Sequence, residues 1–109
     1  MQFDEIRKEV KSGAFIILRR DADNYFEGVV IGDELEKLKA RLEKFLGLPA
    51  YPSNDRLPPQ IENTIKEFGG ITSGQTLYFR NEGNENIIAM LWPWQDEYHT
   101  TLKIIQNEK

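Results

Sequence analysis

The clearest hydrophobic pattern in the chain is a helical stripe between Asp33 and Gly47. Apolar side chains recur there every three or four residues among charged ones, at Leu35, Leu38, Leu42, Phe45 and Leu46. Asp33 with Glu36 three residues later is typical of a helix start, and Gly47 followed by Pro49 is typical of a helix end. The pattern predicts an amphipathic helix that packs this stripe on a sheet.

Two shorter stretches have the same periodicity. Their apolar positions are Phe3, Ile6 and Val10 in the first stretch and Ile61, Ile65 and Phe68 in the second. Ser12-Gly13 ends the first predicted helix, and Gly69-Gly70 ends the second. The segment 48–59 holds four prolines, so it predicts a loop, with Pro58 and Pro59 in the first turn of the following helix.

Five runs rich in β-branched and aromatic residues predict strands at 14–18, 25–31, 76–80, 87–94 and 100–106. The short polar connection Asp21-Ala22-Asp23-Asn24 before the second run predicts a β-hairpin, and Gly28 is expected to mark a bulge. The last three runs predict an antiparallel meander. Its final strand is expected at an edge of the sheet, where it could pair with a second copy and form a homodimer.

The predicted elements follow in the order α-β-β-α-α-β-β-β. Because strands do not alternate singly with helices, a doubly wound parallel sheet is not expected. The sequence predicts one α+β domain over residues 1–109, with an antiparallel sheet and helices packed on one face. A chain of 109 residues is close to the commonest domain size.

Composition excludes several classes of function. The chain has no cysteine, which removes disulfides, thiolate metal sites and a cysteine nucleophile. Its net charge is −4, and Lys and Arg cluster nowhere beyond Arg19-Arg20, so nucleic acid is not an expected partner. No apolar stretch is long enough to span a membrane and no secretory signal is evident, so a cytoplasmic protein is expected.

The strongest local concentration of chemistry lies in nine residues, Leu91-Trp92-Pro93-Trp94-Gln95-Asp96-Glu97-Tyr98-His99. Side chains alternate along a strand, so Trp92 and Trp94 are expected on the same face. Pro93 lacks an N–H group, so regular pairing should end near it. The segment 81–99 also contains four acids and no Lys or Arg, which predicts a negative field at this end.

No familiar catalytic or metal-binding motif accompanies these residues. His99 is the only histidine, so a zinc site would need unusual ligands, and no serine lies in a nucleophile elbow. Asp21 and Asp23 open like a calcium loop, but Phe26 and Gly32 stand where that loop needs glycine and glutamate. No catalytic residue, metal ligand or cofactor is therefore assigned.

The favoured hypothesis is a small acidic protein–protein interaction module of the inhibitor or immunity type. Its contact surface would consist of Trp92, Trp94, Asp96, Glu97, Tyr98 and His99, and its partner would be a basic protein. At least one tryptophan is equally expected in the core, since large aromatic side chains dominate small cores. The alternative is a ligand-binding or enzymatic domain that uses His99 and Asp96 in a pocket between helix 33–47 and the sheet.

One short segment resembles a pattern of the SUKH immunity proteins. Leu57-Pro58-Pro59, a short helix and Phe68-Gly69-Gly70 are similar to the Leu-Pro, helix and Asn-Gly-Gly of that family. Phe68 stands where the family has Asn, and the N-terminal hairpin is not expected there. No residue role is carried over from this resemblance.

Overall fold

The structure, a computed structural model, describes residues 2–11, 15–22, 24–47, 49–51, 59–67, 70, 74–82 and 85–108. Three helices and five strands follow in chain order: α1 Gln2–Lys11, β1 Ile17–Asp21, β2 Tyr25–Ile31, α2 Glu34–Leu46, α3 Pro59–Glu67, β3 Thr76–Glu82, β4 Glu85–Pro93 and β5 His99–Glu108. The predicted α+β class and element order are confirmed.

The five strands form one antiparallel sheet in the spatial order β1-β2-β5-β4-β3. The last strand therefore lies at the centre, where it pairs with β2 on one side and β4 on the other. The prediction that it is an edge strand open to a second copy is wrong, because both of its backbone edges are already paired. The edges of the sheet are β1 and β3.

One face of the sheet, here called the covered face, lies under α1 and α2. Its core consists of Phe3, Ile6, Val10, Phe26, Val30, Leu38, Leu42, Leu46, Tyr78, Ile87, Ala89, Leu91, Leu102 and Ile104. Leu35 and Phe45 pack against this core from the rim of α2. The predicted stripe of α2 is thus buried against the sheet.

The opposite face, here called the open face, holds a second cluster at its β3–β4 end. Ile61 and Ile65 of α3 pack there on Leu77, Ile88 and Met90. The expectation that the helices share one face holds for α1 and α2, whereas α3 lies on the other side. Among the described residues, Ala50 and Tyr51 also pack on this cluster. On the part of the open face formed by β1, β2 and β5, Arg19 and Arg20 are exposed, whereas Val29, Thr101 and Ile105 are buried.

The irregularity expected at Gly28 falls on the neighbouring strand. Leu18 pairs with Gly28 and Arg20 with Glu27, so the register shift lies in β1. A Cβ atom on Gly28 would lie 2.6 Å from Cδ1 of Phe15. Glycine therefore leaves the room that the Phe15 ring needs.

The start of α2 also differs from its prediction. Asp33 has helical dihedral angles, with φ −67° and ψ −17°, and its side chain makes no capping hydrogen bond. The chain enters the helix through Gly32 at φ 53°, whose carbonyl accepts a hydrogen bond from the Leu35 N–H at 3.3 Å. The predicted glycine end is confirmed, since Gly47 has φ 81° and donates to the Glu43 carbonyl.

Several predictions concern residues outside the described ranges. These are the helix stop at 12–13, most of the proline-rich loop, Phe68, Gly69 and the middle of the β3–β4 turn. They stay predictions.

We expect Leu42→Ala to destabilise the protein by about 2–5 kcal/mol, because Leu42 is 0 % exposed and truncation leaves a cavity under α2. Leu18→Ala is the matched control, since Leu18 is 56 % exposed on β1. Chemical denaturation measures both variants. Equal midpoints for Leu42→Ala and wild type would contradict the packing described here.

Candidate functional site

The predicted site forms a compact corner, here called the Trp92–His99 corner, at the connection from β4 to β5. Trp94 donates its backbone N–H to the His99 carbonyl at 2.8 Å, and Glu97 donates to the Trp94 carbonyl at 3.2 Å. Glu97 has φ 60°, the left-handed conformation that side chains with a Cβ seldom adopt. Tyr98 also accepts from Gly32, which ties the corner to the start of α2.

Asp96 organises this turn. Its Oδ1 accepts the backbone N–H groups of Tyr98 and His99 at 2.9 and 3.0 Å, and its Oδ2 lies 2.5 Å from Nδ1 of His99. The amides of His99 and Tyr98, followed by the imidazole, lower the pKa of Asp96 to about 2. The carboxylate is thus held as an ionised acceptor.

Three aromatic side chains meet at the same point. The rings of Trp94 and His99 stack with centroids 4.4 Å apart and an interplanar angle of 19°. Tyr98 stands edge-on to His99 at 5.3 Å and is 53 % exposed. The Trp94 indole N–H donates to the Thr101 hydroxyl at 2.8 Å, so the ring is fixed on the open face.

Trp92 lies beside this group, closer to α3. It pairs with Thr101 in the ladder and packs against the cluster that contains Ile61 and Ile65. Nζ of Lys103 lies 3.6 Å from the centre of its ring. Burial lowers the pKa of Lys103, and nearby Glu27 opposes that change. Trp92 and Trp94 are both half-buried, so the structure does not rank one as clearly more exposed.

Arginines from the N-terminal hairpin complete the surface. Cζ of Arg19 lies 5.8 Å from the Trp94 ring centre, while its Nη1 contacts Oε2 of Glu27 at 3.3 Å. Tyr25 donates its hydroxyl to Oε1 of Glu27 at 2.5 Å, and Arg20 lies over the Tyr25 ring at 5.8 Å. Ion pairs and ring contacts therefore run without a break from the corner to the outer edge of the sheet.

A shallow groove of about 520 Å³ lies at the β1 end of this array. Arg19, Arg20, Asn24, Tyr25, Glu27 and Gln106 contribute to its walls. Its volume is in the range of small-molecule and side-chain binding sites.

The fold brings five of the six predicted site residues into one corner. Asp96, His99 and Trp94 interact directly, Tyr98 contacts His99, and Glu97 holds the turn between them with an exposed side chain. Trp92 is the exception, because it belongs mainly to the hydrophobic cluster under α3. Both expected roles for the tryptophans, core and surface, therefore occur in this one pair.

The pocket that the enzymatic alternative requires, between α2 and the sheet, does not contain His99 and Asp96. In β5, Leu102 and Ile104 point to the covered face under α2, so His99 and Thr101 lie on the open face. A pocket between α2 and the sheet would be on the wrong side for His99. The Asp96–His99 pair itself is real, since the carboxylate contacts Nδ1 and leaves Nε2 as the remaining imidazole nitrogen.

Sequence reasoning missed Arg19, Glu27 and Lys103 as site residues. Side chains two or four residues apart lie on the same face of a strand. Alternation along the last strand could therefore have placed Lys103 on the same face as His99. The arginine could not have been found this way, because its approach to Trp94 depends on the insertion of β5 beside β2.

Within the described part of the chain, no helix is long and apolar enough to cross a membrane. No group of three or more His, Asp or Glu side chains there is arranged to hold a metal ion. The first position of the calcium-like loop, Asp21, contacts Lys11 at 2.6 Å and Arg7 at 3.6 Å. These cations occupy its carboxylate and tie β1 to α1.

No protein-family model matches the chain, and no curated protein and no solved structure is significantly similar to it. Inference about its function therefore rests on the chemistry of the open face.

We expect Asp96→Asn to remove an acid-sensitive contribution to stability. The folded-state pKa of Asp96 lies below its ordinary value of 3.8, so the ionised form stabilises the turn above about pH 4 and this is lost as pH falls through about 2. Asparagine can accept the same N–H groups but does not titrate.

Denaturation midpoints of wild type and Asp96→Asn, measured from about pH 7 downwards, test this expectation. The difference between them should shrink as pH falls from about 4 towards 2. A difference that does not change in this range would show that Asp96 does not titrate there.

Proposed function

We propose that the protein is a small interaction module that binds a protein partner through the Trp92–His99 corner. The observation that carries this proposal is a pre-ordered group of aromatic side chains at an accessible edge of the open face. Trp94, Tyr98 and His99 are held by ring contacts and by Asp96 before any partner arrives. Aromatic anchors that are already ordered lose little entropy on binding, which favours them as interface hot spots.

The charge at the corner supports a basic group on the partner. Glu97 is exposed, whereas the charge of Asp96 is engaged by His99 and two amides. A basic group of the partner is therefore proposed opposite Glu97, where complementary charge would mainly speed association. The chain is proposed to act in the cytoplasm and as an inhibitor or immunity-type module.

A second candidate function is favoured by the Asp96–His99 pair alone. An aspartate on Nδ1 is the arrangement that orients a general-base histidine. Among the described residues no hydroxyl is hydrogen-bonded to His99, and the Thr101 hydroxyl on the same face accepts from Trp94. Under this alternative His99→Ala would abolish turnover, and Trp94→Ala would mainly change substrate affinity.

The test of the proposed interaction is an affinity capture with matched baits, followed by affinity measurement on the captured partner. We expect Trp94→Ala to weaken that complex by about 2 kcal/mol, because the ring supplies a buried anchor. Tyr98→Ala gives a second test, since Tyr98 is exposed and its loss should leave the fold intact. Glu97→Lys should slow association.

Lys37→Ala on α2 is the control bait, since Lys37 is exposed on the side of the molecule away from the open face. Circular dichroism verifies that each variant is folded. Capture of the same proteins by wild type, Trp94→Ala and Tyr98→Ala baits would contradict the proposed contact surface.

A further inference from the structure

We infer that the groove between Arg19, Arg20 and Tyr25 binds carboxylates of an acidic peptide segment on the protein partner. This inference rests on the proposed function, and it adds the chemistry of the segment that would lie across the open face. The acids near the tryptophans predict a basic partner. That partner would carry an acidic segment as well.

Cations outnumber carboxylates around the groove. Among the described side chains in and beside the groove, the cations are Arg19, Arg20 and Lys103, and Glu27 is the carboxylate between them. Glu27 already accepts from Arg19 and from the Tyr25 hydroxyl. The groove end of the open face, away from Asp96 and Glu97 at the corner, is therefore locally positive on a chain whose net charge is −4.

The cations of the open face have different partners from many cations on α1 and α2. Several lysines and an arginine of α1 and α2 contact carboxylates, in the pairs Arg7–Asp21, Lys11–Asp21, Lys37–Glu34, Lys39–Glu36 and Lys44–Glu9. Within the described ranges, Arg20 and Lys103 instead contact the aromatic rings of Tyr25 and Trp92. A ring orients a cation without using its hydrogen-bond donors, so these donors remain for a ligand.

The side chains of the groove hold one another in place. Glu27 fixes the Tyr25 ring through its hydroxyl, and that ring supports the Arg20 guanidinium at 5.8 Å. A guanidinium presents its donors as a planar fork, which matches a carboxylate bidentately. The groove is thus prepared for an oxyanion at its β1 end.

An acidic peptide fits this face better than a nucleic acid does. Base stacking needs free aromatic faces, but Lys103 lies over Trp92, and Arg19 and His99 lie against Trp94. Three cations are also few for binding a phosphate backbone. An extended peptide can instead place carboxylates on the arginines and an apolar side chain beside Trp94.

The test uses the full chain labelled with ¹⁵N and titrated with hexaglutamate, hexalysine and oligothymidylate. We expect hexaglutamate to give saturable shifts of the β1 and β2 amides and of the Trp94 indole N–H, which the Thr101 hydroxyl holds in place. Hexalysine should not shift the β1 amides. Added salt should weaken hexaglutamate binding, because the contact is ionic.

Arg20→Gln is the decisive variant, since Arg20 is exposed and its removal leaves the Arg19–Glu27 pair intact. We expect it to weaken hexaglutamate binding by about tenfold, the effect of losing one bidentate charged contact. Arg41→Gln is the matched control, because it makes the same charge change on α2, over the covered face. It should leave the affinity unchanged.

The inference is overturned if hexaglutamate gives no saturable shifts, if Arg20→Gln and Arg41→Gln bind it equally, or if oligothymidylate binds more tightly. A captured partner that is lost with Trp94→Ala but not with Arg20→Gln would keep the proposed function and reject the acidic segment. Hexaglutamate binding at the arginines with no Trp94-dependent partner would reject the proposed function alone.

Discussion

The central constraint of this structure is the pairing of β5 with both β2 and β4. Strand β5 joins an N-terminal hairpin and a C-terminal hairpin that are otherwise separate in the chain, and the three helices then pack on the sheet that results. Its register also sets the surface, because Lys103 lies opposite Glu27 and His99 opposite Ile31. Every contact between the hairpin arginines and the Trp92–His99 corner depends on this ladder.

The local elements could be predicted because their causes are local. The stripe of α2 and the end at Gly47 follow from spacing and from a left-handed position that glycine adopts without strain. The position of β5 could not be predicted in this way, since alternation of side chains does not name a neighbour strand. The face of the sheet on which α3 packs could not be predicted for a related reason. Strands β3, β4 and β5 carry apolar residues on both faces, so the sequence permits helices on either one.

The candidate site likewise has a part that could be predicted from local sequence and a part that could not. The corner was visible in the sequence because Asp96 and His99 are three residues apart and a single turn brings them together. The cations around the corner could not be predicted from this segment, since residues 81–99 contain four acids but no Lys or Arg. The fold supplies the cations from distant segments, Arg19 from β1 and Lys103 from β5. Local composition therefore describes the turn but not the surface around it.

The open face also carries polar groups that folding leaves incompletely satisfied. The indole N–H of Trp92 is buried and has no hydrogen-bond partner among the described residues, and the half-buried ammonium of Lys103 lies against the same ring. Desolvation disfavours the charge of Lys103, as its lowered pKa indicates, and Glu27 on the neighbouring strand opposes this change only in part. An oxyanion beside the Lys103 ammonium would offset the cost of its desolvation. An acidic ligand beside Lys103 would therefore stabilise a charge that the isolated fold keeps partly desolvated.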